Sequence, residues 1–326
     1  MQGLAAYIVR RLLLVPVILL AVSMITFALG RFAPSDYVEI QASPQARPAT
    51  IERIREARGL NDPVWEQYVR YMGDFLTGDF GESVRYRGRE VEDVILPRLW
   101  VTLQYNTLVL ILTFAIGLPV GTWAAVKRGT WLDPLSIGIF LVFASIPVII
   151  LTPVLQYLLG SKLGLVPVQG WDERNLLGVK VGIFSTQIIL PVLILTLAGV
   201  AGIARYMRAQ VLEVLDQEYV RTAHAKGLAA EVVVTRHVVR NALLPIVTIL
   251  GFELAALFSG GIILESLLGI PGIGQYAYES VRSRDYDGIM AIVLIGSTAF
   301  VLANVLIDVA YAFIDPRIRL GGEAGA

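Results

Sequence analysis

The sequence contains no cysteine, which excludes disulfides, thiolate metal sites and cysteine nucleophiles. It has two histidines, His224 and His237, on separate helical runs. They read as solvated or headgroup-facing side chains rather than as metal ligands. Charge is scarce: 17% of residues ionise, against about a quarter in an average soluble domain. Basic and acidic residues balance at 27 each, so no charge excess points to nucleic acid. No G-x-x-x-x-G-K-S/T phosphate loop is present, so the chain does not itself bind ATP in that way. H-E-x-x-H and G-x-S-x-G are absent too, and no pattern suggests catalysis or a bound metal.

What is there is apolar. Hydrophobic residues make up 56% of the 326 positions, and mean hydropathy is +0.66. Long windows nearly free of charge read as membrane-spanning helices. They predict an all-α membrane protein with six spans: Leu12–Gly30, Leu99–Val126, Leu135–Gly160, Val181–Ala204, Asn241–Leu264 and Gly288–Phe313. The first resembles a signal peptide, with Arg10 and Arg11 before it. Its apolar run is longer than a usual signal core, and only Arg31-Phe32-Ala33-Pro34 follows, so it reads as a retained span.

Basic residues set the orientation. With the N-terminus inside, the inner segments 127–134, 205–240 and 315–326 carry two, six and two. The short outer loops 161–180 and 265–287 carry three and two, while 31–98 carries ten but is long enough to escape the rule. The expectation is N-in and C-in, with 205–240 in the cytoplasm. Three parts follow: span one with an extracytoplasmic helical segment (1–98), a five-helix core (99–314) and a tail (315–326).

Within 31–98, Ile51–Arg58 reads as a charged helix and Asp62-Pro63 as a helix start. Trp65, Tyr68, Met72 and Phe75 then recur at helical spacing, to pack on neighbours or form an interfacial belt. Gly117-Leu-Pro-Val-Gly121 permits close helix approach, with a kink at Pro119. Ser145, Pro147 and Pro153 fall inside span three, where prolines free backbone carbonyls. Glu253 and Asp308 are acids within spans. Such groups mark functional positions by default. Asp308 is expected to reach the interface, Glu253 to face an aqueous path, pair with another subunit or stay a neutral carboxyl, and Glu265 to sit at the interface. Candidate path residues are Ser145, Pro147, Glu253 and Ser259.

The longest polar run between apolar segments in the second half is 212–245. Leu212, Leu215, Tyr219 and Ala223 share one helical face, and Glu213, Gln217, Arg221 and His224 the other. Gly227 interrupts where a left-handed cap belongs, and a second helical run leads to Pro245. Two readings fit this helix–glycine–helix: a docking surface for another protein, or an amphipathic loop lying on anionic headgroups.

Glu218-Tyr-Val-Arg-Thr-Ala-His-Ala-Lys-Gly-Leu228 resembles the cytoplasmic "EAA" loop of ABC importer permeases, most closely the dipeptide/oligopeptide/nickel branch. Arg236-His237-Val-Val-Arg-Asn241-Ala-Leu-Leu-Pro245, Glu265, the 271–274 run, Arg284-Asp285-Tyr286 and Tyr311-Ala-Phe-Ile-Asp-Pro-Arg317 extend the resemblance. So do Gly78-Asp-Phe-Gly81 and Arg128-Gly-Thr-Trp-Leu-Asp133 upstream. The long segment after span one is similar to that of the B-type subunit. Arg221-Thr222-Ala223 stands where the general motif has Glu-Ala-Ala, the acid sits earlier at Glu218, and His224 replaces a common arginine.

The resemblance implies a type I ABC importer permease fold, pairing with a homologous C-type permease. It implies two ATPase subunits, which bind ATP and magnesium, and an extracytoplasmic solute-binding protein that delivers substrate. Glu218, Tyr219, Arg221, Thr222, Ala223, Lys226 and Gly227 are the implied ATPase-coupling residues. Implied substrates are di- or oligopeptides, with nickel chelates, glutathione or oligosaccharides as alternatives. A self-contained carrier or channel is the competing class. Inverted repeats with matching broken helices would mark it, and none is evident.

Overall fold

The structure, a computed structural model, describes residues 2–32, 47–57, 59–176 and 179–314. The Asp315–Arg319 motif, the tail and the side chain of Asp308 lie outside the described residues. In chain order the helices are α1 (Gln2–Arg31), α2 (Pro48–Ala57), α3 (Val64–Thr77), α4 (Val91–Val126), α5 (Leu132–Ser145) and α6 (Val148–Leu155). A π-helical stretch, Gln156–Lys162, and a hairpin of β1 (Arg174–Leu176) with β2 (Val179–Val181) follow. Then come α7 (Ile189–Leu215), α8 (Glu218–Ala225), α9 (Ala230–Val232), a second π stretch Val233–Val239, α10 (Arg240–Ala256), α11 (Ile262–Leu268), α12 (Ile273–Ser283) and α13 (Tyr286–Ile314).

Among the described residues, five helices are long and apolar enough to cross a membrane: Leu13–Arg31, Val91–Val126, Thr186–Leu215, Ala230–Ala256 and Tyr286–Val305. A sixth crossing is made if Leu132–Ser145 and Val148–Lys162 count as one, although they meet at 99°. Span three is therefore not the continuous helix expected. Pro147 has no N–H and drives the residue before it out of the helical region. Ile146 is accordingly extended, at φ −90° and ψ 121°.

Other boundaries move as well. The second span starts eight residues early, at Val91, with Glu92 and Asp93 in its first turn, where acids suit the helix dipole. The fourth begins after β2, because Val179 and Val181 are β-branched and pair antiparallel with β1. The fifth stops at Ala256 instead of Leu264. The break holds Gly260, whose backbone crowds that of Gly274 so closely that an added Cβ would lie 2.1 Å from the Gly274 nitrogen. The 212–223 run is also cut, at Asp216 and Gln217, between α7 and α8.

Contacts divide the chain into two units. The first takes in the described residues of Met1–Trp100, Phe258–Ile262 and Pro271–Ala326. Its core joins Val91, Val94 and Ile95 to Ile273, Tyr276 and Ala291. Gly30 on α1 packs against the Met290 side chain of α13, whose sulfur a Cβ there would meet at 2.7 Å. The second unit is Val101–Leu257 with Ile263–Ile270. One of its cores gathers Val101, Tyr105, Leu190, Ile194, Leu264 and Ile270. Another gathers Met207, Val211, Val220, Ala223, Val233, Val238 and Ala242.

Candidate functional site

The helix–glycine–helix forms as a local structure. Gly227 takes φ +77°, the left-handed conformation that glycine adopts without penalty. Its N–H donates to the His224 carbonyl at 2.9 Å and that of Leu228 to the Ala223 carbonyl at 3.4 Å. Together these bonds form a Schellman cap on α8. Thr222 Oγ1 donates to the Glu218 carbonyl at 3.0 Å, and His224 Nδ1 lies 3.0 Å from the Val220 carbonyl.

The faces of α8 divide cleanly. Glu218, Tyr219, Arg221, Thr222, Lys226 and Gly227 are exposed. Ala223 is buried, and with Val220 it packs against Met207 and Val211 of α7 and Val233, Val238 and Ala242 beyond the glycine. Ala223 thus fixes the helix in place, while the other coupling candidates point outward. Asn241 Nδ2 reaches back to the Tyr219 hydroxyl at 3.0 Å and to the His237 carbonyl at 2.7 Å. The motif residues 236–239 form part of the π-helical stretch, a form often found at functional positions.

Beneath α8, α7 is held by both α4 and α5. Gly117 and Gly121 of α4 abut Ile203, Ala204 and Met207, and a Cβ on Gly121 would fall 2.3 Å from the Ala204 carbonyl oxygen. One turn past Ala204, Arg208 donates to both oxygens of Asp133 on α5, Nε to Oδ1 at 2.7 Å and Nη2 to Oδ2 at 2.6 Å. This fork matches a carboxylate in geometry as well as charge. Sequence reading missed the pair, meeting Asp133 as the last residue of the Arg128–Asp133 motif. No helical spacing rule links residues 75 positions apart.

The path candidates are placed as follows. Ser145 and Pro147 flank the bend and are exposed, with Ser145 Oγ donating to the Leu141 carbonyl at 2.7 Å. Glu253 is exposed on α10, one turn before the helix ends. Ser259 lies in the break after α10. In the first unit it lines a cavity of about 300 Å³ with Leu99, Phe258, Ile273, Ala277 and Gly296. Glu265 corrects an expectation. Read as interfacial, it is fully buried, and its Oε1 accepts from Tyr105 at 2.6 Å and Thr102 at 3.0 Å.

A polar hub in the first unit was also missed. Asp285, fully buried, accepts from Ser83 Oγ at 2.6 Å, the Arg85 N–H at 3.2 Å and the Gly288 N–H at 3.1 Å. Arg98 stacks on the rings of Tyr86 and Tyr276, donates to the Tyr86 hydroxyl and pairs with Glu279 at 3.6 Å. Burial pushes the Tyr276 phenol up to about 12, with the Asp285 carboxylate adding to the shift. The Tyr86 phenol is also raised, by burial first and then by its bond to Glu279. Asp79, Glu90 and Glu92 bring carboxylate oxygens within 4.8 Å of one another. Backbone N–H groups of Gly81 and Phe80 already donate to Asp79 and Glu92.

The sequence matches two family models. Residues 117–320 match the "Binding-protein-dependent transport system inner membrane component" and residues 4–103 its N-terminal counterpart. The dipeptide transport system permease DppB of Alkalihalophilus pseudofirmus is 35% identical, covering 96% of this chain and 99% of that one. The oligopeptide permease AppB of Bacillus subtilis is 35% identical, covering 97% and 99%. The glutathione permease GsiC of Escherichia coli K12 is 36% identical, covering 96% and 98%. Among solved structures, a chain of the inward-facing MetNI methionine ABC transporter shares the fold, with TM-score 0.51 and 21% identity over 69% of this chain and 96% of that one. The chain belongs to the inner-membrane components of binding-protein-dependent transport systems, as a multi-pass B-type permease subunit of an ABC importer.

Proposed function

We propose that this permease forms one half of a translocation pathway for short peptides, driven by ATP hydrolysis on partner subunits. It pairs with a homologous C-type permease. Two ATPases dock from the cytoplasm, carrying ATP and magnesium, and an extracytoplasmic solute-binding protein delivers the peptide. The chain lies N-in and C-in, which puts α8 on the ATPase side. Segment 99–314 supplies the working core, and its path runs past Ser145, Pro147, Glu253 and Ser259.

The observation that carries this reading is the division of α8: polar residues outward, Val220 and Ala223 locked into the core below. A helix so mounted can receive a partner's motion and pass it to α7 as a rigid body. Closure of the ATPases shifts the equilibrium between access states by acting on α8. The peptide class rests on the relatives, which are named for dipeptides, oligopeptides and glutathione, itself a tripeptide.

Reconstitution with the cognate permease, ATPases and binding protein tests it. Uptake of labelled di- and oligopeptides should require ATP and all partners. Uptake without any ATPase subunit would overturn the mechanism. Uptake of a non-peptide solute alone would overturn the substrate class.

A further inference from the structure

Helix α3 has three faces. Around its axis, Gln67, Tyr68, Tyr71 and Phe75 form one. This face packs on the end of α1: Tyr68 Oη and Ser23 Oγ lie 2.8 Å apart, Phe27 stacks with Tyr68 and Tyr71, and Arg31 donates to Gln67 at 2.9 Å. Glu66, Arg70, Asp74 and Thr77 form a polar face. Between them runs an apolar stripe, Trp65, Val69, Met72 and Leu76, at steps of three and four residues. It is largely uncovered: Trp65 is 67% exposed, Val69 61% and Leu76 78%. The aromatic repeat seen in the sequence therefore splits, with Tyr68 and Phe75 packed and Trp65 left open.

We propose that this stripe lies against lipid, making α3 an interfacial helix seated in the membrane surface beside the end of α1. Depth is the first reason. Ser23 and Phe27 fall inside the span Leu13–Arg31. At about 1.5 Å per residue, Ser23 sits about 12 Å along the axis from Arg31, within a hydrocarbon core about 30 Å thick. A helix fastened there cannot stand clear of the bilayer. Continuity is the second. Val17, Leu20 and Met24 are exposed on α1 along the same helical row as Phe27 and Arg31. The apolar surface of the span thus runs directly into the ledge made by α3. Chemistry is the third: an apolar stripe opening with tryptophan, next to a charged face, is the pattern of helices that lie in the interface.

The cysteine-free sequence makes the test direct. Single replacements Val69→Cys, Leu76→Cys, Glu66→Cys and Asp74→Cys in the full chain, in phosphatidylethanolamine/phosphatidylglycerol nanodiscs, take a nitroxide label. Collision with oxygen, which concentrates in lipid, is compared with collision with a water-soluble nickel chelate. The expected result is a high oxygen-to-chelate ratio at Val69 and Leu76 and a low one at Glu66 and Asp74. Chelate access at Val69 and Leu76 matching that at Asp74 would overturn the proposal. Exclusion of both reagents there would overturn it in favour of a protein partner. Fluorescence gives a second reading: with the other four tryptophans replaced by phenylalanine, brominated acyl chains should quench Trp65, and emission unchanged by bromination would contradict the seat in lipid.

Discussion

Arg208 on α7 holds Asp133 on α5 through two near-parallel bonds of 2.7 and 2.6 Å. Two turns past Arg208 α7 ends at Leu215, and α8 begins at Glu218. At the far end of α5 lies the 99° bend at Ile146 and Pro147. The pair thus ties the stretch of α7 that leads into α8 to the helix that leads to the bend.

Breaking it from one side leaves a mostly buried charge without its partner. Asp133→Ala and Arg208→Met should each lower stability by about 1–3 kcal/mol, since losing a charged hydrogen-bond partner costs that much. Thermal unfolding of the purified chain measures it. The exchange Asp133→Arg with Arg208→Asp should recover part of the loss. Equal loss in singles and double would show that the pair acts through something other than its charge.

Close helix contact gives a contrast among glycines. Gly121→Ala pushes a methyl to 2.3 Å from a backbone oxygen, and Gly117→Ala meets Ile203 at 2.8 Å, whereas Gly138 has nothing within 4 Å. Gly121→Ala should destabilise most, by about 1–3 kcal/mol as an overpacking change. Gly138→Ala should be neutral or slightly stabilising, by up to about 1 kcal/mol from helix propensity. Melting temperatures of the three variants check the order.

At Gly227 there is space but not freedom. No atom lies within 4 Å of an added Cβ, yet φ is +77°. Gly227→Asn should be mild, because asparagine tolerates the left-handed region, and Gly227→Ala should cost about 1–2 kcal/mol locally. Gly227→Pro forbids that φ and removes the N–H to His224. It should abolish uptake per ATP hydrolysed in the reconstituted importer while the chain still inserts. Glu218→Lys, on the exposed face, should do the same without touching the fold.

Two acids are expected to behave oppositely. Glu265→Leu removes the buried acceptor shared by Thr102 and Tyr105. It should cost about 2–4 kcal/mol, from losing a buried charged acceptor that serves two hydroxyls. Glu253, exposed, should lose less than about 0.5 kcal/mol on conversion to glutamine. A change in uptake with unchanged melting for Glu253→Gln would place its role in transport.

Much of this architecture could be read from residue order. Long uncharged runs marked the spans, and Gly227 with its flanking periodicity marked the helix–glycine–helix. What escaped has a common physical origin. The bend after Ser145 hides inside an unbroken apolar run, because hydropathy does not register the backbone restriction that Pro147 imposes on Ile146. The break after Ala256 holds a close approach of the Gly260 and Gly274 backbones, which local composition does not encode. Asp133–Arg208, Glu265–Tyr105 and Asp285–Ser83 join residues far apart in sequence. No local spacing pattern links the two members of any of these pairs. The outward and inward faces of α8 were legible only in part: periodicity grouped Tyr219 with Ala223, yet Ala223 is buried and Tyr219 exposed.

The central claim is that the exposed face of α8 receives an ATPase subunit. Arg221→Cys and Lys226→Cys, each in the otherwise cysteine-free chain, place a single thiol-reactive photocrosslinker on that face in the assembled importer. The account predicts crosslinks from both positions to an ATPase subunit and none from Gly138→Cys. Crosslinks from Arg221 and Lys226 to lipid alone, with the ATPases bound and active, would contradict it.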